Sequence, residues 1–129
     1  MNKNNYDLSA ALRSLRPGAE CVIYGTEYSG IEWFDENQEK PTEEEVVQKI
    51  AELKYQEEVN EYQRQRAFEY PPIEEQQDMQ FHDAVNGTTT WKDAIQAVKD
   101  KYPKKKMNTR TLNKRKKDAL AKLEASRES

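Results

Sequence analysis

The sequence predicts a mostly α-helical α+β fold. We expect a short N-terminal helix and two-stranded β-hairpin, one long helix, a helical hairpin, and an extended basic C-terminal arm or helix. Two short runs rich in β-branched and aromatic residues stand near the start of the chain, a strong helix-start signal follows at residue 42, and proline or glycine stops divide the remainder. The predicted parts are therefore residues 1–41, 42–103 and 104–129.

The first part combines a helix with the hairpin. Asp7 is the expected N-cap and Pro17–Gly18 the expected stop of the helix. Its apolar stripe, at helical spacing, consists of Leu8, Ala11, Leu12 and Leu15. The strands are predicted at Glu20–Tyr24 and Ile31–Phe34, joined by a connection with glycine at both ends. Because two strands are marginal in water, helix stripes or another chain must cover them.

The long helix begins with a capping box. The hydroxyl of Thr42 can accept from the amide of Glu45 while the Glu45 side chain reaches back, and the helix is expected to run to about Phe68. Its first half has an apolar face formed by Val46, Val47, Ile50, Ala51 and Leu53. Its second half keeps only a narrow seam of Tyr55, Val59 and Tyr62. Self-association as a coiled coil is an alternative, although a sustained heptad pattern is absent.

A helical hairpin is predicted next. Tyr70 precedes Pro71 and so ends the long helix, while Pro72 can occupy the first turn of a second helix that stops at Gly87. Thr90 is the expected N-cap of a third helix. Its stripe consists of Trp91, Ala94, Ile95, Val98 and Tyr102. We expect this hairpin to fold so that Trp91 and Ile95 meet Ile73 and Met79.

Composition argues for dependence on a partner. Hydrophobic residues make up 35% of the chain, charged residues 35%, and the mean hydropathy is -1.17, so little apolar material is available for a large core. Residues 101–129 contain eleven Lys or Arg against three Asp or Glu, a balance of +8, whereas residues 1–100 carry -11. An acidic body with a basic arm is typical of proteins that dock on other charged surfaces.

The sequence does not predict catalysis. Cys21 lies in an apolar run and is interpreted as a small hydrophobe, and His82 is the only histidine. Metal-ligand clusters, glycine-rich phosphate loops and nucleophile elbows are absent from the sequence, so we expect a non-enzyme without cofactor or metal. No apolar run is long enough for a bilayer and no signal-peptide core follows residue 5, so we expect a soluble, non-secreted protein.

Several motifs together carry a family resemblance. They are Leu15-Arg16-Pro17-Gly18-Ala19, the Ile31-Glu32-Trp33 strand before Lys40-Pro41-Thr42, the arginine-rich helix end followed by Glu69-Tyr70-Pro71-Pro72-Ile73, and Ala97-Val98-Lys99-Asp100-Lys101-Tyr102-Pro103. Over about residues 7–104 the chain resembles small tailed-bacteriophage proteins of the tail fibre or tail assembly accessory type. Gln77 and Gln80 depart from positions that are more often apolar in such sequences, and the arm after Lys104 lies outside the resemblance.

The resemblance implies a phage setting. We expect a structural adaptor of the virion, in its tail or fibre region, made in the host bacterial cytoplasm and docked in several copies on other tail or fibre proteins, without membrane contact. A transient assembly chaperone is the first alternative. A nucleic-acid-binding accessory protein is the second, because the basic arm could contact phosphates, although no aromatic residues interleave with its lysines.

Candidate partner contacts follow from the same patterns. They are Tyr55, Val59, Tyr62, Tyr70, Ile73, Trp91, Lys104, Lys105, Lys106, Lys114, Arg115, Lys116, Lys117, Leu120 and Leu123. Trp91 and Tyr70 are compatible either with a core position or with an interface, since an aromatic side chain can anchor both.

Overall fold

The computed structural model describes the backbone of residues 3–128 and the side chains of residues 8–128. Its helices are α1 (Lys3–Leu15), α2 (Glu43–Glu69), α3 (Ile73–Asn86), α4 (Thr90–Lys101) and α5 (Thr109–Glu128). Its strands are β1 (Cys21–Ile23) and β2 (Ile31–Trp33), which pair antiparallel. The predicted mostly helical α+β class is confirmed.

The chain divides into two compact units, which we describe separately. The core unit comprises Met1–Glu57 and Met107–Ser129, and the hairpin unit comprises Glu58–Lys106. The division therefore falls inside α2, and it groups the basic arm with the first part of the chain. The sequence-based boundaries at residues 41 and 103 follow helix starts and stops instead.

The core unit is organised around one apolar cluster. Its buried members are Leu8, Ala11, Leu12, Ile31 and Val46. The predicted stripe of α1 is thus confirmed as the part of the helix that packs inward, and it covers the hairpin together with α2. The predicted N-cap is wrong: α1 begins at Lys3, so Asp7 lies inside the helix, and its side chain is outside the described range.

The β-hairpin has a defined register and a tight connection. Cys21 pairs with Trp33 and Ile23 with Ile31, and a 3-10 turn at Tyr28–Gly30 joins the strands. A Cβ atom added at Gly30 would lie 1.8 Å from the backbone oxygen of Tyr24. Only glycine therefore fits this position of the turn.

The start of α2 confirms half of the predicted capping box. The amide of Glu45 donates to Oγ1 of Thr42 at 3.1 Å. The Glu45 carboxylate does not complete the box but accepts from Nη2 of Arg16 at 3.2 Å. The Arg16 guanidinium competes well for this carboxylate because it carries a full positive charge, whereas the backbone amide of Thr42 is neutral.

The basic arm is helical from Thr109 onward. Its start is fixed by Asn108, whose Oδ1 accepts from the Thr111 amide at 3.2 Å and whose own amide donates to the Tyr55 hydroxyl at 3.0 Å. A half-buried face of α5 includes Leu112, Lys116, Ala119, Leu120 and Leu123. The arm is therefore held on α2 of the core unit along this face.

In the hairpin unit, the helices end where the sequence predicts, but α3 and α4 begin at different residues from those predicted. Gly87 has a φ of 67° and ends α3 in the left-handed conformation. Pro72 stands at the N-cap of α3 rather than in its first turn. Thr89, not Thr90, is the N-cap of α4, and α4 begins one residue early because a carboxylate from α3 satisfies its first amides.

Candidate functional site

The outer face of α3 carries three exposed apolar side chains. Ile73 is 65% exposed, Phe81 73% and Val85 66%, and none of the residues of α3 is buried. At about 100° per residue they fall within about 120° around the helix axis, so they share one face. We call Ile73, Phe81 and Val85 the docking stripe.

The opposite face of α3 is polar although it packs against α4. Oε1 of Gln76 accepts from the indole Nε1 of Trp91 at 3.2 Å, and Nε2 of Gln76 donates to the Pro71 carbonyl at 2.7 Å. Met79 and Asp83 are half-buried on the same side. The expected contact of Ile73 with α4 stays a prediction; Ile73 is 65% exposed and lies about 60° around the helix axis from Gln76.

Asp83 joins the two helices by capping α4. Its Oδ1 accepts from the Thr88 hydroxyl at 2.5 Å and from the Thr90 amide and hydroxyl at 3.0 and 2.7 Å. Its Oδ2 accepts from the Trp91 amide at 2.9 Å. Desolvation raises the pKa of Asp83, but the hydrogen bonds from Thr88, Trp91 and Thr90 outweigh it and hold the pKa well below its usual range.

The other end of α4 is held by the end of α2. The Arg66 guanidinium donates to the carbonyl of Tyr102 at 2.8 Å and to that of Lys99 at 3.4 Å. Oε1 of Glu69 accepts from Nζ of Lys101 at 2.7 Å and from the Tyr102 hydroxyl at 2.6 Å. The bonds from Lys101 and then Tyr102 lower the pKa of Glu69. Polar contacts therefore hold α4 at both ends. None of them involves the docking stripe of α3.

Acidic residues lie at the Val85 side of the docking stripe, with Glu74 within its arc and Asp78 and Glu75 beyond it. Glu74, Glu75 and Asp78 are exposed, and α3 contains no lysine or arginine. Glu74 and Asp78 lie within about 20° of Val85 around the axis, and Glu75 lies about 80° beyond it. We call these three residues the acidic flank.

The predicted seam of α2 is buried. Tyr55, Val59 and Tyr62 each expose less than a tenth of their surface. In the core unit, the Arg115 guanidinium lies 5.3 Å from the Tyr55 ring centroid. In the hairpin unit, the Arg66 guanidinium lies 4.9 Å from that of Tyr62. These tyrosines therefore take part in packing within the chain.

The remaining predicted contacts differ in exposure. Tyr70 is half-buried, and Trp91 is 38% exposed, so its indole is only partly covered. In the basic arm, six predicted contacts are exposed, namely Lys104, Lys105, Lys106, Lys114, Arg115 and Lys117. The other three, Lys116, Leu120 and Leu123, are half-buried. Lys114 forms an ion pair with Asp118 at 3.2 Å.

The basic arm contacts acidic residues of its own chain. Arg127 donates from Nη2 to Glu43 at 2.8 Å and from Nη1 to Glu44 at 2.7 Å. The hydrogen bond from Arg127 lowers the pKa of Glu44. Part of the positive charge that the sequence offers to a neighbour is thus already used within the core unit.

The described part of the core unit includes two pockets. One, of about 730 Å³ between α2 and α5, has an apolar floor that includes Val47, Ile50 and Leu123. The other, of about 490 Å³ beside α1, is lined by Arg13, Arg16 and the half-buried Cys21, and none of its lining residues is a carboxylate or histidine. Among the described residues, no group of three or more His, Cys, Asp or Glu could hold a metal ion.

Sequence reasoning missed Phe81, Val85 and the acidic flank as surface features. From the sequence, Ile73, Met79, Phe81, His82 and Val85 form one set of less polar positions in this helix. Their angles around the helix axis separate them. Met79 lies about 120° from Ile73 on the side that meets α4, whereas Phe81 and Val85 lie about 80° and 120° from Ile73 on the opposite side.

Comparison with protein-family models, with curated proteins and with solved structures finds no match to this chain. Within residues 3–128, no helix combines the length and the apolar content that crossing a bilayer requires.

Proposed function

We propose that this protein is a non-enzymatic adaptor of a tailed-bacteriophage particle, which binds another tail or fibre protein through the docking stripe of α3. The observation that carries the proposal is the outward position of Ile73, Phe81 and Val85 on a helix with no buried residue. The phage setting rests on the sequence motifs between residues 7 and 104. In this proposal the adaptor is made in the host cytoplasm and kept in several copies in the virion.

The energetics favour a partner on this face. Covering a Val, Ile or Phe side chain contributes about 1.5–3 kcal/mol when burial is complete, so three exposed side chains on one helix face represent a substantial driving force, although Gln77 separates Ile73 from Phe81. Single exposed apolar residues are ordinary on protein surfaces, whereas several on one helix face are typical of helix recognition; here Phe81 and Val85 are one turn apart and Ile73 lies two turns before Phe81. The polar contacts at both ends of α4 hold the hairpin without using the docking stripe.

The test is site-specific photo-crosslinking during infection. A photoreactive phenylalanine analogue replaces Phe81, and in a matched control the same analogue replaces Lys92, an exposed residue of α4. We expect position 81 to crosslink to a tail or fibre protein and position 92 to give little product. Absence of a virion partner at position 81, or equal products from both positions, would overturn the proposal.

Mass spectrometry of purified particles separates the adaptor from an assembly chaperone. An adaptor is present in the finished particle at a defined copy number. A chaperone gives the crosslink in infected cells and is missing from particles, and that result would replace the adaptor by the transient role.

A further inference from the structure

The charge around the docking stripe is one-sided. The acidic flank places three carboxylates beside Val85, whereas the other border, about 60° from Ile73, holds Gln76 with the Trp91 indole bonded to it. A segment lying along the stripe therefore meets negative charge on one side and neutral hydrogen-bonding groups on the other.

The helix dipole accounts for only part of the acidic flank. Glu74 and Glu75 lie in the first turn of α3, where carboxylates are favourable because of the positive helix end. Asp78 lies beyond that turn and beside the stripe, where it has no such role. In α3 no lysine or arginine is present to compensate any of the three.

From this arrangement, and resting on the proposed function, we infer that the docking stripe takes an amphipathic helix of a different protein, with lysine or arginine along one edge of its apolar face. The apolar residues of that helix cover Ile73, Phe81 and Val85. Its cations face Glu74, Glu75 and Asp78. Complementary charge of this kind fixes the orientation and raises the association rate more than it raises affinity.

A second copy of α3 is a poorer occupant than such a helix. It would bring three more carboxylates and no cation. If two copies paired antiparallel through their stripes, both acidic flanks would lie on the same side of the pair. The stripe spans twelve residue steps, or about 18 Å of helix, so a partner segment of about four turns covers it.

The experiment uses two synthetic helical peptides of about 18 residues with one identical apolar face, one flanked by lysine and the other by glutamate. Binding to the full-length chain is followed by fluorescence anisotropy at low and at high salt. We expect the lysine peptide to bind about tenfold more tightly than the glutamate peptide at low salt, and this preference to shrink as salt is added.

Three variants locate the effect. The triple variant Glu74→Gln, Glu75→Gln, Asp78→Asn should abolish most of the preference, and Phe81→Gln should weaken both peptides. The control Glu27→Gln, Glu32→Gln, Glu36→Gln changes net charge equally at exposed positions of the core unit and should keep the preference. Circular dichroism verifies that every variant retains its helices.

Several results would overturn the inference. These are equal affinity for the two peptides, no binding of either at about 1 mM, or a preference that survives the triple variant. A concentration-dependent dimer in sedimentation that Phe81→Gln abolishes would assign the stripe to a second copy. The dimer result would also remove the stripe from the proposed adaptor role, whereas the other results leave the crosslink from position 81 untouched and are distinguishable from its failure.

Discussion

Helix α1 of the core unit and helix α3 of the hairpin unit place their apolar residues in opposite ways. In the core unit Leu8, Leu12 and Val46 turn inward and form a buried cluster. In the hairpin unit α3 turns Phe81 and Val85 outward and meets α4 through Gln76 and Asp83. The contrast shows that one helix can be held by burial of its apolar stripe and another by hydrogen bonds from its polar face, and the second arrangement leaves the apolar side chains of α3 exposed.

We expect the largest difference in stability between a substitution in the core unit and one in the hairpin unit when Leu12 is compared with Phe81. Leu12→Ala should lower the free energy of unfolding by about 2–5 kcal/mol, because it leaves a cavity in the buried cluster. Phe81→Ala, which removes a larger but exposed side chain, should change it by less than about 0.5 kcal/mol. Urea unfolding followed by far-UV circular dichroism, which reports on the helices of both units, checks both variants. Equal losses for the two variants would contradict the division.

Gly30 tests the connection of the hairpin in the core unit. Gly30→Ala should destabilise the protein by about 1–3 kcal/mol, since the new Cβ would overlap the Tyr24 carbonyl and force the backbone to shift. The neighbouring Ser29→Ala is the control and should be nearly neutral. Thermal unfolding measures the stability of both variants. An unchanged stability of Gly30→Ala would show that the turn has space for a Cβ atom.

Arg66 tests whether hydrogen bonds hold the hairpin unit. Arg66→Gln should cost about 1–2 kcal/mol, because the Tyr102 carbonyl at the end of α4 loses a charged donor. Arg64→Gln, two residues away and more exposed, disrupts an ion pair with Glu61 and should cost less. Trp91 fluorescence in a Trp33→Phe background follows this unit during urea unfolding. If Arg64→Gln proves the more damaging, the assigned role of Arg66 is wrong.

Substitution of Asp83 should have the smallest effect on stability, and this effect should depend on pH. Its folded pKa is lowered, so its stabilising contribution is present above the unfolded value of about 3.9 and is lost as the pH falls below it. Asp83→Asn should lower Tm by several degrees at neutral pH, and the difference from the unmodified protein should narrow toward pH ~3. Thermal melts at both pH values, compared with Asp93→Asn, measure this. A difference that stays constant with pH would exclude the charge as its cause.

Local patterns determined the elements of this fold. Pro17, Tyr70 before Pro71, and Gly87 stop helices for reasons that lie within two or three residues, and the Thr42 cap acts over the same range. The α1 stripe was predictable because Leu8 and Leu12 share a face at helical spacing and the adjacent strands need covering.

Tertiary structure decided which face of each element turns inward. Nothing local to α3 shows that Gln76 and Asp83, rather than Phe81 and Val85, meet α4, because that choice depends on the first amides of α4, at Thr90 and Trp91, and on the indole donor. Likewise, only the folded chain brings Arg127 to Glu43 and Glu44, residues more than eighty positions away. The spacing of apolar residues along the sequence determines which residues share one face of a helix. Which of its faces packs inward depends on the free energy of contacts with residues distant in the chain.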